Sequence, residues 1–114
     1  EIKPIIIKKN LIILSKNNFL INIDLDTKNI IYSYDISKEK KIKSNILNSN
    51  IFKEILILNS EIFIFLADSS ILVFNMDGNF KKTIKLPRKL NSFPIIQQDS
   101  ILYLDNKNKL IIFD

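Results

Sequence analysis

Apolar residues along this chain fall in short runs, rich in β-branched isoleucine and parted by polar pairs and triplets. Runs of that length and composition predict β-strands. A first set of four strands is expected near 5–7, 11–15, 19–24 and 30–36, joined by Lys8-Lys9-Asn10, Lys16-Asn17-Asn18 and Asp26-Thr27-Lys28-Asn29. A second set is expected near 55–58, 62–67, 72–76 and 81–86, where Asp77-Gly78 supplies a strong hairpin turn. A third is expected near 95–97, 101–104 and 110–113. One glycine cannot serve all these turns, so asparagine is expected in the left-handed positions, at Asn17 or Asn18 and at Asn106 or Asn108. Lys3 and Phe93 each precede a proline, which biases them toward extended backbone and suits entry into a strand. The stretch 42–52 is the one place where the pattern tolerates a helical turn.

The strand pattern repeats. Residues 4–24 and 94–114 align without a gap and share eight identities, and 58–77 is a weaker copy that takes one extra residue in its central turn in that alignment. Self-similar units of this size mark arrays whose members cannot bury their apolar faces alone. On this alignment Asp24, Asp77 and Asp114 share one repeat position, with spacings of 53 and 37 residues that bracket a four-stranded propeller blade. At roughly 40 to 45 residues per blade the chain holds about two and a half, and closed propellers need at least about four. The expected fold is all-β: antiparallel four-stranded meander blades forming a partial β-propeller, a single domain over 1–114 with repeats near 4–36, 55–87 and 94–114. Open apolar strand edges invite pairing, so the chain is expected either to be a piece of a longer propeller or to form a homo-oligomer through its open sheet edges.

Composition narrows the chemistry more than the fold. With 46% hydrophobic and 25% charged residues, the chain reads as one folded unit and not as a disordered segment. There is no cysteine, which removes disulfides and thiolate metal sites but does not name a compartment. The net charge of +5 comes almost wholly from lysine, with Arg88 the one arginine. Phosphate-reading surfaces favour arginine for its forked donors, so no specific nucleic-acid partner is expected, and the Lys/Ile/Asn bias is that of an AT-rich genome. The densest charge run, Ser37 through Lys43, is expected to be a solvated loop. No apolar run approaches the roughly 18 residues a membrane helix needs, so no membrane span is expected. The chain opens at Glu1 without methionine or a leader and is read as a processed product or a cut from something longer.

The phrase Leu25-Asp26-Thr27-Lys28-Asn29-Ile30-Ile31-Tyr32-Ser33-Tyr34-Asp35 resembles the LD-x-T-G-K-V-L-W-S-Y-D phrase of PQQ-like β-propeller repeats. Pro4-Ile5-Ile6 and Pro94-Ile95-Ile96 resemble the P-V-V that opens the next blade, and Leu102-Tyr103-Leu104-Asp105 with Leu110-Ile111-Ile112-Phe113-Asp114 resembles the family's LYVLD…LYALD. Two positions depart from the pattern: Lys28 stands where the family has glycine, and Tyr32 where it has the tryptophan that packs between blades. The family holds quinoprotein dehydrogenases, with pyrroloquinoline quinone and calcium, and non-catalytic propellers such as the lipoprotein scaffold of the outer-membrane β-barrel assembly machinery. A quinone site in that family stacks its cofactor on tryptophan, and this chain has none. The resemblance therefore implies a scaffold with protein partners, in the periplasm or cell envelope, without cofactor; a structural part of a quinoprotein dehydrogenase is the alternative it leaves open.

The inventory of side chains points the same way. Without histidine or cysteine there is no conventional Ser-His-Asp or Cys-His nucleophile and no ordinary zinc site, and the chain is read as non-enzymatic. The recurring aspartates are expected to accept backbone N–H bonds at turns and not to ligate calcium. Tyr32, Tyr34 and Tyr103 are expected to pack across strands, and Phe63, Phe65 and Phe74 to lie in the core. No catalytic, cofactor or metal residue is assigned. Arg88 and Lys89, in the Pro87-Arg88-Lys89 connection between blades, are the residues picked out for a partner contact, since connections display binding residues on rigid scaffolds.

Overall fold

The computed structural model describes residues 2–42 and 52–113. The turn expected over 42–52 lies almost wholly outside them, as does Asp114. Among the described residues eleven strands form three antiparallel sheets. The first sheet holds β1 (Ile5–Ile7), β2 (Asn10–Leu14), β3 (Phe19–Asp24) and β4 (Ile30–Asp35), paired in chain order. The second repeats this meander with β5 (Phe52–Leu58), β6 (Glu61–Leu66), β7 (Ser70–Asn75) and β8 (Phe80–Lys85). The third has β9 (Ile95–Gln97), β10 (Ser100–Leu104) and β11 (Leu110–Phe113). The expected all-β meander blades are present, and the strand ends agree with the sequence pattern to within about three residues. A 3₁₀ turn at Ile36–Lys38, which the sequence pattern did not single out, follows β4; Asp35 caps it by accepting from the Ser37 N–H at 3.0 Å.

Strand side chains alternate between faces, so each sheet carries two distinct surfaces. On the second sheet Ile62, Ile64, Leu72 and Phe74 point one way and join Ile12, Leu14 and Leu20 of the first sheet in one apolar cluster. Their neighbours Phe63, Phe65, Ile71 and Val73 point the other way and cluster with Ile101 and Tyr103 of the third. The second sheet is therefore buried on both sides, which is why β6 and β7 read as unbroken apolar runs while β2 and β3 alternate. The three sheets stack face on face, in chain order.

Register shows how deep the repeat runs. Ile5↔Ile12, Leu11↔Ile23 and Leu14↔Leu20 in the first sheet recur as Ile95↔Leu102, Ile101↔Phe113 and Leu104↔Leu110 in the third. The second sheet follows suit, with Leu56↔Phe63, Ile62↔Phe74 and Phe65↔Ile71. This corrects the sequence alignment of the middle copy: its central turn has the same length as the others, and the counterpart of Asp24 is Asn75, not Asp77. The correction has a chemical reason. Asp24 Oδ1 accepts from the N–H groups of Asp26 and Thr27, and Asn75 Oδ1 does the same work for Asp77 and Asn79. An amide oxygen caps that turn as well as a carboxylate oxygen does.

Candidate functional site

The seam between the first and second sheets opens into a cleft of about 380 Å³, lined by Asn10, Asn22, Ile31, Tyr32, Met76 and Asp77. Asn10 and Asn22 lie on β2 and β3, and Tyr32 on β4 faces Asn22 across the pair. Tyr32 reaches over the seam, its hydroxyl donating to the Met76 carbonyl at 3.1 Å. Burial raises its pKa, against the lowering effect of a hydrogen bond from the Asn22 side chain. The other half of that amide, Asn22 Oδ1, is buried and has no hydrogen-bond partner in the structure. The Tyr32 ring also lies on Gly78, whose φ is +88° and whose absent Cβ would fall 2.8 Å from Tyr32 Cε1. The position where the resemblance expects an interblade tryptophan is thus filled by a tyrosine that locks two sheets together. Carboxamides, a phenol and one exposed carboxylate can hold a polar group in this cleft. They supply no nucleophile with an adjacent base.

The other aromatic expectations fall on packing. Tyr34 meets Phe74 edge-on, with ring centroids 5.8 Å apart, inside the first seam. Its hydroxyl also donates to Glu39 Oε2, and burial with the neighbouring Glu39 and Asp35 charges raises its pKa to about 12. Glu39 is held below the usual carboxylate range by that bond and by the Lys41 backbone N–H. The charge run is therefore not wholly a solvated loop: Glu39 is tied to the sheet and Ile42 is buried, while Lys38, Lys40 and Lys41 are exposed. Phe63, Phe65 and Phe74 are buried as expected. Among the described residues, no group of three or more histidines, cysteines or carboxylates could hold a metal ion.

Arg88 and Lys89 lie in the connection between the second and third sheets, apart from the cleft. Their backbone is pinned. Tyr103 Oη donates to the Arg88 carbonyl at 2.9 Å and accepts from its N–H at 3.3 Å. Ser69 Oγ accepts from the Leu90 N–H at 2.8 Å in a buried contact, and Leu90 bridges to Asp105. Both cationic side chains remain exposed. The sequence showed where this connection lies but not its anchoring, because its partners lie 15 and 21 residues away along the chain.

Stacked antiparallel meanders of this kind define an all-β, partial β-propeller fold. A solved structure similar to this one is that of BamB from Moraxella catarrhalis, with a TM-score of 0.69 at 9% sequence identity over 96% of this chain. The chain spans 31% of that protein's length. At this identity the likeness concerns the fold. No family model matches the chain, and no curated protein matches it in sequence. No helix among the described residues is long and apolar enough to cross a membrane.

Proposed function

We propose that this chain is a non-catalytic β-propeller segment that acts as a protein–protein interaction scaffold in outer-membrane protein assembly at the cell envelope. One observation carries the reading: the connection at residues 86–92 has its backbone fixed by Tyr103, Ser69 and Asp105, yet presents Arg88 and Lys89 to solvent. A loop fixed before binding loses little conformational freedom when a partner docks, which is how a rigid scaffold gains affinity. Arg88 and Lys89 are assigned as the contact residues, and an acidic surface on the partner is their complement. The likeness in fold to BamB supports the assembly setting, as does the resemblance to PQQ-like repeats.

The test is calorimetric titration of the chain with purified components of an outer-membrane β-barrel assembly machinery. Saturable binding is expected, weakened about tenfold or more by Arg88→Glu with Lys89→Glu, a change of roughly 1.4 kcal/mol. Binding that ignores the double substitution would remove the assigned contact. No binding at all, together with calcium-dependent uptake of quinone, would favour the dehydrogenase alternative.

A further inference from the structure

Asn22 stands where the packing of these sheets otherwise places an apolar residue. Strand registers make Val73 its counterpart: the row Ile12↔Asn22↔Tyr32 of the first sheet matches Phe63↔Val73↔Lys82 of the second. Val73 is fully buried in the apolar cluster between the second and third sheets. Asn22, only 4% exposed, brings a carboxamide to the same place in the seam between the first and second. The Tyr32 hydroxyl gives its proton to the Met76 carbonyl, so the phenol oxygen receives an N–H of the Asn22 amide and the amide oxygen is left over. That oxygen, Asn22 Oδ1, is buried without a hydrogen-bond partner, in a residue that lines the cleft of about 380 Å³. Buried acceptors are almost always paired, so one unpaired beside a cleft calls for a donor from outside the chain.

The rest of the lining selects the donor. Asp77 is exposed at the cleft, and its charge is near enough to Tyr32 to help raise the phenol's pKa. Asn10 adds a second amide oxygen, and Ile31 and Met76 supply an apolar wall. The chain has 17 lysines and arginines, yet among the described residues none lines the cleft. Uncommitted oxygens with one negative charge favour a cation and disfavour an anion. The volume far exceeds the roughly 30 Å³ share of a single water, and one carboxylate beside an apolar wall is a poor ligand set for a hard metal ion. An ammonium group has three N–H donors and no acceptor, and its alkyl stem packs on apolar surface. We propose that this cleft binds a primary alkylammonium group, the head meeting Asn22 Oδ1 and Asp77 and the stem lying on Ile31 and Met76. A lysine side chain and a small free amine share this chemistry. The inference does not involve the Arg88 and Lys89 connection and is tested with small molecules alone, so it fails separately from the scaffold reading.

The test is an NMR titration of the ¹⁵N-labelled chain with n-butylammonium chloride near neutral pH, where the amine is fully charged. Saturable shifts are expected at the Asn10 and Asn22 side-chain amides and at the Tyr32, Met76 and Asp77 backbone, with a dissociation constant of about 1–10 mM for so small a ligand. n-Butanol and butyrate are expected to leave these signals in place. Asn22→Val, which installs the residue found at the counterpart position, is expected to weaken binding about tenfold or more. Asp77→Asn, at an exposed turn, is expected to weaken it about threefold and to remove most of its salt dependence. Circular dichroism checks that both variants are folded. Nα-acetyl-lysine N-methylamide and pentane-1,5-diammonium distinguish the sources: tighter binding of the first favours a protein lysine, tighter binding of the second a free amine, and either supports the proposal. No saturable shift with any of the three amines would overturn it. So would equal shifts with butanol or butyrate, or undiminished binding by folded Asn22→Val.

Discussion

Single residues hold this fold at its turns. Among the described residues nine positions have positive φ, and eight of them are not glycine. Asparagine takes the expected places at Asn18 and Asn108, but Ser69 fills the same turn in the second sheet, and Lys8 and Gln98 match each other in the first turns of their sheets. A chain with one glycine must place ordinary side chains where the left-handed backbone costs roughly 1–2 kcal/mol each. Lys28, at φ 62°, is the counterpart of Gly78 in the third turn and sits where PQQ-like repeats have glycine. Lys28→Gly is expected to stabilise the chain by about 0.5–1 kcal/mol, the left-handed cost less glycine's own entropy, and thermal unfolding checks it. Gly78→Ala is expected to cost about 2 kcal/mol in the same assay, because the added methyl meets Tyr32 and the backbone resists it.

At the scale of strands and sheets, burial parity governs the energetics. Phe65 is fully buried between the second and third sheets, whereas Ile112 is 63% exposed. Phe65→Ala is therefore expected to cost roughly 3–5 kcal/mol, enough to unfold much of a small domain, while Ile112→Ala in dilute solution costs about 0.5 kcal/mol. Urea titration separates the two. The tyrosines set a limit in alkali. Burial raises the pKa of Tyr32, Tyr34 and Tyr103 above 10 in the folded state, and that of Tyr34 to about 12. The unfolded chain then ionises first, so stability is intact below about pH 10 and falls as pH rises through the folded values. Phenolate absorbance is expected to lag behind that of free tyrosine and then rise with unfolding; ionisation at pH 10 in a fully folded chain would contradict this.

The strand pattern and the repeat were legible because both are local: alternation, turn residues and recurring prolines lie within a few positions of one another. The true register of the middle copy was not. Matching identities drew Asp77 onto Asp24, while the hydrogen bonds show that Asn75 performs the same capping. Identity is a poor guide where a carboxylate and an amide present the same oxygen. The cleft was illegible for another reason: Asn22 and Tyr32 sit on the first sheet, Met76 and Asp77 in the turn after β7 of the second, and only the stacking brings them together. Glu39 looked like one more charge in a solvated run, because its tie to Tyr34 depends on the 3₁₀ turn after β4.

At the scale of the whole chain, the described residues form three stacked sheets, of which the middle one is packed on both faces. Hydrogen exchange at low micromolar concentration tests that arrangement most directly. Strands β2, β3, β6, β7 and β10 are all flanked by neighbours in their own sheets, so their ladder hydrogen bonds are alike. They differ in that β6 and β7 alone among them are covered on both faces. If the sheets stack as described, the amides of Ile62–Phe65 and Ile71–Phe74 exchange slowest, and those of β2, β3 and β10 open earlier in sub-global steps. Equal protection across all five strands, or slower exchange in the first sheet than in the second, would contradict the stacked-blade account.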